Sequence, residues 1–145
     1  MTAFLFDVNL LIALMWPAHE DHDRAQQWFA NNAHHGWATC PFTQAAFARI
    51  LANPAFSSDA VSPAEAAALL ASNLKHPNHQ FWADEITLAQ AIEPFSSRLT
   101  GHQQVTDAYL LGLAMHRKGK LATMDQAVAA LLTSHSQKDN FLTLI

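Results

Sequence analysis

Cysteine is nearly absent. A single residue, Cys40, stands among 145, so no intrachain disulfide can form and a reducing compartment suits the chain. Cys40 reads as a small buried hydrophobe rather than a reactive thiol. Glycine and proline are also scarce, at four and six residues, and no segment reads as a linker or a disordered tract. No apolar run approaches the length of a transmembrane span. The N-terminus lacks a basic flank and carries Asp7 inside its apolar stretch, so no signal peptide is expected. These absences point to a cytoplasmic protein with no membrane partner. Positive charge is short as well. Eight Lys and Arg against twelve Asp and Glu leave a formal charge of -4 and a pI of about 6.1. That argues against a protein held on nucleic acid by its overall field, but leaves room for a local basic patch. The chain also lacks a glycine-rich phosphate loop, a nucleophile elbow and a His-Glu-x-x-His motif, which removes the simplest nucleotide-binding, serine-hydrolase and zinc-protease readings.

What is present is core. Half of the residues are hydrophobic, enough for one domain over residues 1–145. The organising stretch is Phe4-Leu5-Phe6-Asp7-Val8-Asn9-Leu10-Leu11. A short run that is apolar on both faces reads as a buried strand over about 3–7. A helix over about 9–15 follows, stopped by Trp16-Pro17 because a residue before proline avoids the helical region. A second helix runs through Arg24, Ala25, Trp28 and Phe29. Residues 37–40 form a strand ended by Pro41. Thr43 reads as the N-cap of a helix carrying Ala46, Phe47, Ile50 and Leu51. Ser62-Pro63-Ala64-Glu65 combines an N-cap, a first-turn proline and a capping-box acid, and opens a helix to about Lys75. A strand at 80–82, a helix at 88–95, a helix at 103–118 ended by Gly119, a strand at 121–124, a helix through Leu131-Leu132 and a strand at 141–145 complete the chain. Strands alternating with helices define an α/β protein with a mostly parallel sheet.

Three acids stand at suggestive places. Asp7 closes the first strand, Asp125 closes the strand at 121–124, and Asp107 lies in the first turn of the long helix after residue 103. Ligands of open parallel sheets bind at the C-terminal strand edge, so these carboxylates can converge there. Taken singly, Asp107 also reads as an acid favoured by the helix dipole and Asp125 as an N-cap. Two carboxylates about 5 Å apart repel by roughly 3 kcal/mol at an effective dielectric near 20. Three such pairs would cost on the order of 10 kcal/mol unless a cation joined them or protons were taken up. Hard oxygen ligands favour Mg²⁺ or Mn²⁺. The chemistry such a site supports is phosphodiester hydrolysis.

The nine histidines offer a competing metal site, because His19-x-x-His22 and His76-x-x-His79 have usable spacing. No cysteine lies beside either pair, and Pro77 splits the second, so the zinc reading is the weaker one. His102 differs. In the loop entering the Asp107 helix, it is placed to contact a phosphate or a backbone carbonyl.

These residues resemble the signature segments of PIN-domain ribonucleases. The segments are Phe6-Asp7-Val8-Asn9-Leu10-Leu11, Gly101 through Leu110 with Thr106-Asp107-Ala108-Tyr109 inside it, and Leu121-Ala122-Thr123-Met124-Asp125. They are most similar to those of VapC-type toxins of bacterial toxin–antitoxin pairs. Thr39-Cys40-Pro41-Phe42-Thr43-Gln44 and Ala48-Arg49-Ile50-Leu51 resemble the middle segment of one VapC subgroup. The resemblance implies an α/β/α sandwich and an endoribonuclease dependent on Mg²⁺ or Mn²⁺. It also implies a VapB-type antitoxin partner, an RNA substrate and a homodimer. By the same resemblance Asp7, Asp107 and Asp125 hold the metal and form the catalytic set, while Asn9 and Thr106 position ligands or water. Many members carry a glutamate where this chain has Gln44. Gln44 is therefore expected across the cleft as a neighbour of the metal site, donating or accepting through its amide or holding a metal-bound water. It cannot supply the missing charge, so metal binding weaker than that of a four-acid site is expected.

Arg49, one turn further along, is placed to meet an RNA phosphate or to stand as a solvated helix charge. Arg117, Lys118 and Lys120 read as a helix C-terminal charge run. Trp16, Trp28, Phe29 and Phe47 read as core or partner interface in preference to a base-stacking surface, and exposed members on the first helices are placed to form a groove for the antitoxin's amphipathic segment. A binding module with a degenerate site is the alternative that Gln44 suggests. A haloacid-dehalogenase-like phosphatase also begins with an acid after its first strand. Its second acid would fall near Asn9, however, and its downstream acidic pair is missing.

Overall fold

The computed structural model describes residues 2–145. Its centre is a five-stranded sheet formed by β1 (Phe4–Phe6), β2 (Trp37–Thr39), β3 (His79–Phe81), β4 (Lys120–Thr123) and β5 (Leu142–Leu144). All neighbours are parallel and the order is β3-β2-β1-β4-β5. The strand order reverses between β1 and β4, and that reversal opens a crevice at the C-terminal edge. The register sets Phe6 beside Ala122, so the residues just past these strands emerge together.

Alternation along β1 divides the core. Phe4 and Phe6 point to one face with Trp37 and Ala122, where α1 (Val8–Met15), α2 (His22–Asn32), α3 (Pro41–Leu51) and α4 (Pro63–Asn73) pack. Leu5 points to the other with Ala38 and Leu121, where α5 (Leu88–Ile92) and α6 (Val105–His116) pack. A strand buried on both faces needs apolar residues at every position, and β1 has them. The result is the expected α/β/α sandwich. A last helix, α7 (His135–Phe141), precedes β5.

The aromatic residues of α2 serve the core. Trp28 meets Phe4 and Phe6 edge-on with centroids 5.0 and 5.7 Å away. Phe47 is fully buried, whereas Trp16 is partly buried and packs on Phe56. Cys40 is buried, and desolvation raises its thiol pKa. No helix among the described residues is long and apolar enough to cross a membrane.

Several local expectations change. Helix α3 begins at Pro41, not after Thr43. Proline suits the first helical position, Cys40 is the N-cap, and the Thr43 hydroxyl accepts from the Cys40 N–H at 3.1 Å. The helix expected over 88–95 stops at Ile92 and continues as a 3-10 helix over Glu93–Arg98, since Pro94 has no N–H for the α ladder. The helix expected from 103 starts as a 3-10 turn, His102–Gln104, before α6. Its end is set by Lys118 with φ 58°, one residue before Gly119. The helix through Leu131-Leu132 is a 3-10 helix over Gln126–Leu131, with α7 beginning later at His135.

Candidate active site

Asp7 performs two backbone duties at once. Its N–H donates to the Ala122 carbonyl at 3.0 Å, the last rung between β1 and β4. Its side chain then caps α1, with Oδ1 accepting from the Val8 N–H at 2.7 Å. An acid at a helix start is favoured by the unpaired N–H groups there. The second oxygen, Oδ2, accepts from the Thr123 hydroxyl at 2.7 Å. Asp7 is only 4 % exposed. Burial raises its pKa most, the bonds from Thr123 and Val8 oppose that rise, and the charge of Asp125 adds to it.

Thr123 ties the site together. Besides donating to Asp7, its Oγ1 accepts from the Asp125 N–H at 3.0 Å. Asp125 caps the next 3-10 helix, Oδ1 accepting from the Ala127 N–H at 2.9 Å. One fully buried hydroxyl thus holds the Asp7 carboxylate and the backbone that carries Asp125. Thr123→Val should leave both partners without their bond. A loss of about 1–3 kcal/mol in urea unfolding is expected, with Thr123→Ser recovering most of it. Valine behaving like the parent would remove Thr123 from this role.

Asp107 comes from the opposite side, in the first turn of α6 and half-buried. Desolvation first, then Asp7, then Asp125, push its pKa up to about 7. All three acids therefore share one electrostatic neighbourhood. They do not close into a tight cage: among the described residues, no three His, Cys, Asp or Glu side chains form a metal-holding group. An open arrangement of this kind suits Mg²⁺ or Mn²⁺, because Mg²⁺ takes one or two carboxylates and keeps several waters. The donor chemistry also fits. Each Asp7 oxygen accepts one hydrogen bond and retains a lone pair, and the uncompensated charge is what a cation would relieve.

A cleft of about 150 Å³ opens at Asp7, lined also by Thr43, Arg49, Ile50, Thr106 and Leu110. It brings Arg49 and Thr106 to Asp7. Arg49 is exposed and takes part in none of the ion pairs among the described residues. Asn9 is exposed in the first turn of α1 and lines a neighbouring cleft that shares Ile50. His102 is exposed on the 3-10 turn ahead of α6.

Gln44 lies apart from the Asp7 cleft. Its Nε2 donates to the Thr39 hydroxyl at 2.9 Å, and that hydroxyl also bonds His79 Nε2 at 2.8 Å. The side chain lines the groove between α3 and α4, not the Asp7 cleft. Starting the helix at Pro41 explains this. Thr43 and Ala46, three apart, line the Asp7 cleft, and Gln44 is turned about 100° from Thr43. This placement does not support a water-holding role for Gln44 in the Asp7 cleft, whereas the expected weaker metal binding rests on the missing fourth carboxylate and is unaffected by where Gln44 lies.

The histidine pairs serve the backbone and the core. His22 Nδ1 bonds the Ala13 carbonyl at 2.7 Å, and His19 Nδ1 accepts from the Asp21 N–H at 3.0 Å. His76 Nδ1 accepts from Trp37 Nε1 and the Asn78 N–H. Arg117, from the basic run, pairs with Glu85 at 2.8 Å and lies over the Trp82 ring, far along α6 from Asp107. The residues that sequence reasoning missed are Thr43 and Thr123. For Thr123 a signal existed, since a polar residue in an apolar strand, one position past the partner of Phe6, must meet the residue just beyond β1.

A five-stranded parallel sheet between two helical layers, with Asp7 at its switch point, defines an α/β/α sandwich. The family model of the PIN domain matches residues 4–131. The chain belongs to the PIN-domain family. It is 42 % identical over 127 residues to Ribonuclease VapC38 of Mycobacterium tuberculosis, covering 88 % of each chain. It is 38 % identical over 140 residues to Ribonuclease VapC44 of the same species, covering 97 % of this chain and 98 % of that one. A solved structure of VapBC2 from Rickettsia felis, bound to a DNA fragment from their promoter, shares the fold. Its TM-score is 0.65 at 9 % identity, with 99 % of each chain covered.

Proposed function

We infer that this protein is a VapC-type ribonuclease, the toxin of a toxin–antitoxin pair, and that it hydrolyses RNA phosphodiester bonds at the Asp7–Asp107–Asp125 cleft. The observation that carries the reading is the convergence of two strand-end acids and one helix-start acid at the sheet's switch point, in a chain about 40 % identical to proteins named VapC ribonucleases. In this reading Asp7 and Asp107, with Asp125 in support, hold Mg²⁺ or Mn²⁺. The cation would polarise the phosphate and lower the pKa of an attacking water. The chain's own residues prepare the rest. Thr123 fixes the Asp7 carboxylate, and Arg49 offers a guanidinium to a phosphate oxygen. Thr106 and Asn9 stand at the rim to orient water. The protein works in the cytoplasm as a homodimer restrained by a VapB-type antitoxin. The binding-only alternative rests on the neutral residue at position 44, and recovery of cleavage with Mn²⁺ after EDTA separates it from the ribonuclease reading.

Cleavage of single-stranded RNA should vanish with EDTA and return with Mn²⁺. Expression of the chain alone should arrest growth, and co-expression of an adjacent small gene should relieve the arrest. Cleavage that persists undiminished in EDTA would refute the metal-dependent reading.

A further inference from the structure

Beside the acidic cleft lies a second one, of about 370 Å³, and its lining is almost entirely apolar. Phe42, Leu88 and Val105 line it and are 44, 49 and 40 % exposed. Exposed aromatic and aliphatic surface gathered in one cleft calls for an occupant. Two features say which. The cleft shares Phe42 and Thr106 with the Asp7 cleft, so a chain lying in one continues into the other. At its wall the Phe42 and Tyr109 rings stand 6.1 Å apart and 32° from parallel, an aromatic surface suited to a flat ring. One carboxylate completes it. Asp84 Oδ1 accepts from the Tyr109 hydroxyl at 3.0 Å, and a carboxylate has acceptor capacity well beyond one bond.

We propose that this cleft is a base-binding subsite, which stacks one unpaired base next to the cleaved bond on Phe42 and reads its exocyclic amino group with Asp84. The proposal rests on the ribonuclease reading and deepens it. Unpaired bases are recognised by aromatic stacking together with hydrogen bonds to their edges. A carboxylate accepts from an amino donor such as cytosine N4. Uracil presents a carbonyl oxygen at that position, and two acceptors repel. Asp84 therefore selects adenine, cytosine or guanine over uracil, while Phe42 holds any base. Asp84 also fixes the subsite, because its bond to Tyr109 ties the loop after β3 to α6 two residues beyond Asp107.

The test uses the full chain carrying Asp7→Asn, to prevent cleavage, with fluorescein-labelled eight-nucleotide oligocytidine and oligouridine. Cytosine and uracil have the same ring size, so the pair isolates the amino group. Anisotropy should show oligocytidine binding at least fivefold tighter. Asp84→Asn, which can still accept from Tyr109 and can donate to a carbonyl, should shrink that ratio below twofold. Phe42→Ala should weaken both oligomers about tenfold. Equal binding of the two oligomers by the Asp7→Asn chain would overturn the proposal. So would a Phe42→Ala variant that binds both as its parent does but sediments as a smaller species, since the face would then join two copies. Parallel cleavage of RNA by the native chain separates the failures. A chain that cleaves without distinguishing cytosine from uracil defeats the subsite alone. One that neither cleaves nor binds defeats the ribonuclease reading as well.

Discussion

Asp107→Asn should abolish RNA cleavage and at the same time stabilise the metal-free protein. The two effects share one cause. Asp107 sits in the first turn of α6, where burial and the charges of Asp7 and Asp125 raise its pKa to about 7. An unfolded Asp titrates near 3.9. Between these values the folded chain holds the proton more tightly than the unfolded one. Stability is therefore greatest below about pH 4 with respect to this group, and falls as pH rises toward 7. Discounted by half for the solvent Asp107 still meets, the loss is about 2 kcal/mol. Asp7, also raised, adds in the same direction. Asparagine keeps the shape and removes the charge. In EDTA at pH 7.5 the variant should melt about 4–8 °C above the parent and lack most of the parent's loss of stability between pH 5 and 7.5. With Mn²⁺ the order should reverse, because the parent gains binding energy that the variant cannot. Cleavage should fall by at least about a thousandfold, a barrier increase of roughly 4 kcal/mol. Melting curves with and without Mn²⁺, beside a gel assay, read every part. A variant no more stable than the parent in EDTA, with an undiminished response to Mn²⁺, would take Asp107 out of the charge cluster.

That coupling is partly legible in the sequence. Asp7 and Asp125 are readable because each ends a strand, and strand ends in a parallel sheet point to one edge. Asp107 is readable from its place at the start of a long apolar helix. The sandwich itself comes from strands apolar on both faces between amphipathic helices. The hidden part depends on helix phase and on contacts distant in sequence. A start at Pro41 rather than after Thr43 is only two residues, yet it decides which side chains of α3 line the Asp7 cleft. Gln44 leaves the cleft and Thr43 enters it for that reason. Thr123 is hidden because its partner, Asp7, lies 116 residues away. The 3-10 segments are hidden too, since a proline such as Pro94 marks a break without fixing the conformation of the residues after it.

Gly112 sets local propensity against packing most sharply. In a helix interior, alanine is favoured over glycine by about 1 kcal/mol, so sequence alone recommends Gly112→Ala. The structure forbids it. A Cβ at Gly112 would overlap the Ala91 carbonyl oxygen and lie 2.6 Å from the Ala91 Cα. Both are backbone atoms of α5, and no side chain can rotate away to make room. Relief requires α5 and α6 to separate, and Ala91 and Leu111 are both fully buried in the core they share. Overpacking of this kind costs about 1–3 kcal/mol and sometimes more. A backbone overlap this close belongs at the upper end, so about 2–3 kcal/mol should remain after the helical gain. The melting temperature should fall by about 4–12 °C. Gly101→Ala is the control, because a Cβ there meets nothing within 4 Å, and it should melt like the parent. The consequence reaches the active site. Helix α6 carries Asp107 and Tyr109 five and three residues before Gly112, so a displaced helix moves a proposed metal ligand relative to Asp7. Cleavage by Gly112→Ala should drop even at temperatures where the variant remains folded, and Mn²⁺ should stabilise it less than the parent. A variant that melts, binds Mn²⁺ and cleaves like the parent would show that α5 and α6 do not approach as closely as described. If it melts lower but keeps full Mn²⁺ stabilisation, the strain is absorbed by α5, and Asp107 is anchored by its own turn.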